Sequence, residues 1–150
     1  MPPGPILRGQ QVQTTEVELL QLHQLLYTSV IAPTASPSCV ADILREARAT
    51  NEAISITGLL VFDGWRFCQY LEGQADELLG MKRRIAADTR HHQLKILHVG
   101  SFPGPRRFPA WSMGYALAHD ETLLEKLEQA SGIQAVERLC ALLPLFDMEP

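Results

Sequence analysis

ITGLLVFDGWRFCQYL, residues 56–71, decides how this chain folds. Ile56 to Phe62 is continuously apolar around Thr57 and Gly58, Asp63 and Gly64 form a tight-turn pair, and Trp65 to Leu71 is a second run of apolar and aromatic residues. Two such runs joined through Asp-Gly predict a β-hairpin. Gly73 then breaks the second strand.

Working outward towards the N-terminus, LHQLLYTS at 22–29 predicts a strand, closed by the loop around Pro33. Ser36 and Pro37 predict a helix start, with a capping hydroxyl and a proline at the first helical position. Val40, Ile43, Leu44 and Ala47 follow at helical spacing, Asn51 prolongs their stripe, and the helix is expected to end there. On the other side of the hairpin, Leu78, Met81 and Ile85 mark one face of a helix reaching about Asp88. Arg84 and Asp88 are four apart on it and so read as neighbours. Ile96 to Phe102 predicts a strand, Pro103-Gly104-Pro105 a rigid loop, and Ser112 to Leu117 a last strand.

The order β-α-β-β-α-β-β predicts an α+β, ferredoxin-like fold with two parallel helices on one face of a mixed sheet. Asp120 caps a further helix through Leu127, ended by Gly132, and Ile133, Val136, Cys140 and Leu143 mark another before Pro144. These C-terminal helices serve either as a cover or as a partner surface. Cover is favoured, because a second apolar sheet face has to be buried.

At 150 residues, 46% hydrophobic and 20% charged, the chain has ordinary globular composition and suits one domain. We expect a flexible tail over 1–16, a main folded domain over 17–118 and a helical extension over 119–150. Met1 to Gln13 lacks the apolar core of a signal peptide, and no apolar run approaches the roughly 20 residues that span a bilayer. Cys39, Cys68 and Cys140 are widely spaced, which favours neither a disulfide framework nor a zinc site and points to a reducing cytoplasm. The net charge of −4 and pI of about 5.7 oppose a nucleic-acid surface. The local basic groups Lys82, Arg83, Arg84, Arg90, Arg106 and Arg107 suffice for one anionic ligand at most, and Lys82 and Arg83 read as a solvated helix face.

Enzymatic constellations are thin. The chain has no phosphate loop, no His-x-x-x-His pair and no Gly-x-Ser-x-Gly elbow. His91 and His92 are adjacent and read as helix-end histidines. Asp63 and Glu72 stand at opposite ends of one strand, too far apart for a carboxylate acid and base. What remains is a polar set at the ends of apolar segments: Tyr27, Asn51, Gln69 and the stretch Trp111 to Met113. Unpaired burial costs roughly 1–3 kcal/mol per polar group, so such a set implies a planar polar ligand. If Tyr27 and Gln69 face the same ligand, a phenol and an amide together make a redox and hydrogen-bond relay.

These residues resemble the BLUF family of flavin-using blue-light sensors. The resemblance rests on LLYTS at 25–29, Asn51, ITGLL at 56–60, QYLEG at 69–73, RIAADTRH at 84–91 and RRFPAWSM at 106–113. It implies a flavin, FAD with FMN as the alternative, held between the two helices and sandwiched by Ile43 and Ile85. By the matching positions, Asn51, Arg84 and Asp88 would bond the ring's polar edge. Tyr27 would donate an electron on excitation, and Gln69 would reorganise its hydrogen bonds in a reversible red-shifted state. Trp111 or Met113 would sit beside Gln69 and pass the change on; strand parity does not separate them, being two apart. The phosphate tail would lie near Arg90 or His91. Ala47 and Thr50 depart from the family, which often has serine at the first position and asparagine or histidine at the second.

The expected protein is therefore a cytoplasmic flavin photoreceptor, not an enzyme, signalling to a downstream protein of unknown identity and forming a homo-oligomer. No nucleic acid, membrane or metal is expected to take part. Three rivals stand beside it. A flavin-free BLUF-like interaction module would lack the chromophore. An acylphosphatase-type hydrolase would need an anion cradle after the first strand, where Val30-Ile31-Ala32-Pro33 offers neither glycine nor charge. An RNA-binding sheet would need aromatics on one face, but Phe67 and Tyr70 are of opposite parity.

Overall fold

The computed structural model describes residues 21–149. The expected tail over 1–16, and the first residues of the expected domain, lie outside the described residues. The hairpin forms as β2 (Thr57–Phe62) and β3 (Arg66–Gly73), with Leu60 facing Gln69 and Phe62 facing Phe67. In the turn, Gly64 takes φ +96°, a conformation glycine adopts without strain, and the Asp63 carboxylate accepts from the backbone N–H groups of Trp65 and Arg66 at 2.9 and 2.6 Å. The returning strand starts one residue later than expected, at Arg66.

Around the hairpin, β1 (Leu22–Ile31) lies antiparallel to β3, β4 (His91–Phe102) antiparallel to β1, and β5 (Gly114–Leu117) parallel to β2. Helix α1 (Cys39–Ala53) returns the chain from β1 to β2 and α2 (Ala75–Ala87) from β3 to β4. The sheet order β4-β1-β3-β2-β5-β6, with β6 at Asp147–Glu149, contains the ferredoxin-like arrangement. The two helices cover one face; because β1 and β3 are antiparallel, the chain runs through them in opposite directions.

Sequence alternation explains the two cores. Leu60 and Phe62 point towards α1 and α2, joining Leu25, Phe67, Leu71, Leu78 and Met81. Leu59 and Val61 point the other way, towards α3 (Thr122–Leu127) and α4 (Ile133–Leu142), where Leu124, Leu127, Val136 and Leu139 bury them. A sheet covered on both faces has strands without polar alternation, and the hairpin strands read that way. The C-terminal helices are thus a cover. The N-cap of α3 is Glu121, not Asp120 as expected; Asp120 stands one residue earlier and accepts from Thr122 N–H at 2.8 Å. Gly132 does not end α3 but precedes α4, and Leu143 belongs to a short 3-10 turn (Leu143–Leu145).

Other expectations require correction. Helix α1 begins at Cys39, not at Pro37: Ser36 to Val40 is a tight turn in which Cys39 and Val40 donate to the carbonyls of Ser36 and Pro37, and the Ser36 hydroxyl bonds Ser38. Strand β4 starts at His91, not Ile96; it is the edge of the sheet, where polar residues are tolerated. His91 and His92 are consequently strand residues, not helix-end residues. Finally, β6 (Asp147–Glu149), which sequence analysis did not anticipate, pairs with β5. Among the described residues no helix is long and apolar enough to cross a membrane.

A buried carboxylate ties the loop after β4 to the hairpin. Glu72 is 0% exposed and accepts from the backbone N–H groups of Arg107 and Phe108 at 2.9 and 2.8 Å, from Thr57 Oγ1 at 3.0 Å and from the Tyr70 hydroxyl at 2.9 Å. Arg106 adds bonds to the Glu72 and Ser55 carbonyls. Gly58 permits the closeness of β2 and β3, since a Cβ there would lie 2.0 Å from the Tyr70 carbonyl oxygen. Gly58→Ala is therefore expected to destabilise the protein by at least about 2 kcal/mol, read as a lowered urea midpoint with an unchanged slope; an unchanged midpoint would refute this close contact.

Candidate functional site

Between α1 and α2 lies a cavity of about 580 Å³, within the size range of small-molecule and cofactor pockets. Its walls are apolar where the helix stripes converge: Ile43 and Ala47 from α1, Met81 and Ile85 from α2, with Leu60 and Phe67 in the floor. Tyr27 and Gln69 complete the floor, Asn51 closes one end, and Arg84, Asp88, Arg90 and His91 rim the other walls. The structure thus brings together nine residues expected at one ligand: Tyr27, Ile43, Asn51, Gln69, Arg84, Ile85, Asp88, Arg90 and His91.

The β1–β3 register sets the floor. Tyr27 lies directly opposite Gln69, and its phenol donates to Gln69 Oε1 at 2.5 Å. The register between β1 and β4 shifts at Leu26/Tyr27, a bulge of the kind found beside functional sites. Burial pushes the Tyr27 pKa far above its usual value, with smaller contributions from Cys68 and Asp88, so the phenol stays neutral and a donor. On its other side, Gln69 Nε2 approaches the Met113 sulfur at 3.5 Å. Phenol, amide and thioether form a continuous line from the cavity floor to the start of β5.

Met113, 1% exposed, is the residue beside Gln69. Trp111 stacks on Phe108 at 5.6 Å and lies over Gly114 on the side of the C-terminal helices. Equal strand parity would put the two on one face, but β5 begins at Gly114, not Ser112, so residues 111–113 are not in strand geometry and the two side chains part. Asn51 is fully buried in the last turn of α1; its Nδ2 donates to the Ser112 carbonyl at 2.8 Å, and its Oδ1 has no partner among the described residues. A buried acceptor without a donor is costly and calls for one from a ligand.

At the rim, the expected Arg84–Asp88 neighbours are not partnered. Asp88 ends α2 with extended backbone, and its carboxylate pairs with Arg90 Nη2 at 2.7 Å; the Arg90 side chain also reaches Glu46 on α1 at 2.7 Å. The Arg90 hydrogen bonds hold the Asp88 carboxyl below the usual carboxylate range. Arg84 is exposed and makes no ion pair among the described residues. His91 is held at both nitrogens, 2.7 Å from Ser29 Oγ and 2.6 Å from the Ile85 carbonyl oxygen. The carbonyl requires a proton on Nε2, so in the neutral ring Nδ1 accepts from Ser29. Glu46 was missed in the sequence because a charged residue on an exposed helix face carries no signal; Leu60, Phe67 and Met81 read only as core.

The loop after β1 offers no anion cradle. Ile31 N–H donates to Trp65 O and Ala32 N–H to Arg90 O, both at 2.9 Å.

Residues 22–114 match the profile of a family described as BLUF, sensors of blue-light using FAD. The photoactivated adenylate cyclase subunit alpha of Euglena gracilis is 32% identical over 97 residues, which cover 62% of this chain and 9% of that protein. The blue light- and temperature-regulated antirepressor BluF of Escherichia coli (strain K12) is 31% identical over 87 residues, 58% of this chain and 21% of that protein. This chain therefore spans only a small part of these relatives. The dark-state structure of the BLUF protein BlrB superposes with a TM-score of 0.67 at 30% identity, covering 81% of this chain and 93% of that one. A profile spanning more than half of the chain, over a fold and a helix-bounded cavity of this kind, makes the protein a member of the BLUF family of flavin-based blue-light sensors.

Proposed function

We propose that a flavin, FAD rather than FMN, lies between α1 and α2, and that Tyr27, Gln69 and Met113 carry the light signal from it to the start of β5. The observation that supports this most is the unbroken contact line from Tyr27 through Gln69 to Met113. When bound, a flavin supplies an electron-accepting ring on blue excitation and a rim of alternating donors and acceptors. Ile43 and Ile85 suit its two faces. The orphaned Oδ1 of Asn51 suits a rim N–H, and Asp88 supplies a further acceptor along the rim. Arg84, which makes no ion pair among the described residues, is free to bond the ring's polar edge, whereas Arg90, paired with Asp88 and Glu46, stands with His91 where the anionic tail would lie.

The neutral Tyr27 phenol becomes strongly acidic once it gives up an electron, and Gln69 would relay rather than keep its proton, accepting at Oε1 while releasing one from Nε2 towards the ligand. Rearrangement of the Gln69 amide then alters what faces Met113. Output passes to a partner protein through β5 and the helical extension, so residues 17–118 act as the sensor and 119–150 as the extension. We take the protein to be cytoplasmic and to form a homo-oligomer, with no catalytic role of its own. A flavin-free interaction module would leave Asn51 Oδ1 buried without a donor, which disfavours it. A hydrolase finds no cradle after β1.

The purified protein should be yellow and show a reversible red shift under blue light; a colourless preparation that cannot be reconstituted with flavin refutes the proposal. Gln69→Leu should retain the chromophore and lose the shift, since no amide is left to re-bond, and an unchanged light response would exclude the relay. Tyr27→Phe should likewise block the photocycle; a normal cycle would move the electron donor elsewhere, Trp111 being the next candidate. A carboxyl whose folded-state pKa is depressed stabilises above its unfolded value near 3.9 and loses that contribution as pH falls through the folded value. Asp88→Asn should therefore lower the thermal midpoint at pH 7, and the gap to the parent should begin to narrow below about pH 3.9 and close only below the folded-state value; a gap independent of pH would count against the Arg90 pairing.

A further inference from the structure

The segment leading into β5 is irregular, yet three successive carbonyls in it are held. Gly58 N–H donates to Trp111 O at 3.0 Å, Asn51 Nδ2 to Ser112 O at 2.8 Å, and Arg48 Nε to Met113 O at 2.9 Å. Two of the three donors are side chains of α1 spaced three apart, which places them on one helix face. Arg48 is half-buried, does not line the cavity, and makes no ion pair among the described residues. A guanidinium is always charged and costly to desolvate, so a half-buried arginine without a carboxylate has the Met113 carbonyl as its principal compensation.

Resting on the photoreceptor reading above, we propose that Arg48 is a positioning residue of the photocycle: it clamps the Met113 peptide in its dark arrangement and thereby keeps the Met113 sulfur against the Gln69 amide. The clamp also makes α1 a second recipient of the signal. Any displacement of residues 112–113 that follows rearrangement of Gln69 pulls on Asn51 and Arg48 together. Because Arg48 favours the dark position of Met113, its loss removes a restoring contact, and the lit state should return more slowly.

The test uses the full-length, flavin-loaded protein. Parent, Arg48→Ala, Arg48→Met and Arg48→Lys are compared by dark recovery of the visible spectrum and by light-minus-dark infrared spectra of protein labelled with 13C at the methionine carbonyls. Arg48→Ala and Arg48→Met should bind flavin and shift as the parent does but recover roughly tenfold more slowly, the size expected for losing one charge-assisted hydrogen bond. Arg48→Met keeps the apolar stem, so it separates the donor from packing and stands in if the alanine variant does not fold. Arg48→Lys should restore most of the rate, and the labelled amide band should move in the alanine and methionine variants. Recovery within about twofold of the parent in Arg48→Met, or an unmoved methionine carbonyl band, overturns the proposal while the photoreceptor reading stands. A parent protein without any light-induced shift overturns that reading instead.

Discussion

The register of β1 against β3 is the constraint on which the site depends. It sets Tyr27 opposite Gln69, and a slip of one residue would turn one of the two side chains to the other face of the sheet. Period-two alternation then puts Leu25 and Leu71 on the cavity side and Leu26 and Tyr70 under the C-terminal helices. Tyr27 and Gln69 are both buried, and the phenol–amide bond at 2.5 Å is the arrangement that satisfies both groups. The same burial holds the phenol neutral, which suits the proposed donor of both an electron and a proton.

A buried relay needs a sheet closed on its far side, and the residues beyond Ala118 supply that closure. Leu124, Leu127, Val136 and Leu139 pack on Leu59, Val61 and Tyr70. Glu72 extends the same logic to polar groups. Three residues from Gln69 on β3, it faces away from the cavity and fastens the backbone of Arg107 and Phe108. Strand β3 is thus engaged on one face with Tyr27 and Met113 and on the other with the loop that leads to Met113. Movement of that loop is limited at both ends, which favours a small, discrete displacement of residues 111–113 over free fluctuation.

What could be read from the sequence follows from where local signals dominate. The hairpin, both helix stripes and the ferredoxin-like order depend on short-range periodicity, and Tyr27, Asn51 and Gln69 stand out as polar groups in apolar surroundings. Features set by tertiary context were hidden. The first third of β4 is polar because it lies on a sheet edge, so His91 looked like a helix terminus. Asp88 pairs with Arg90 because α2 ends one residue earlier, removing the helical geometry that would have brought Arg84 alongside. Glu46 and Arg48 resemble any solvated helix charges, and only the folded chain shows that one meets Arg90 and the other Met113. Trp111 and Met113 part company for the same reason: the backbone between them is held by side chains from α1 and by Gly58, not by a strand ladder.

That irregular backbone is physically suited to a switch. A strand ladder distributes displacement over many equivalent bonds, whereas the carbonyls of Trp111, Ser112 and Met113 each have a donor from a different residue. Asn51 lines the cavity and holds the Ser112 peptide through Nδ2, its Oδ1 having no partner among the described residues, so in the proposed reading ligand contact and backbone position are coupled within one side chain. Arg48, one turn away, bonds the next peptide without touching the cavity. In the proposed reading, a change at the ligand reaches the Ser112 peptide through Asn51, and a change at Gln69 reaches Met113 through its sulfur. In that reading, convergence of two short paths on one segment is a physical route by which a small change of hydrogen bonding would become a displacement passed to β5 and the strand paired to it, β6.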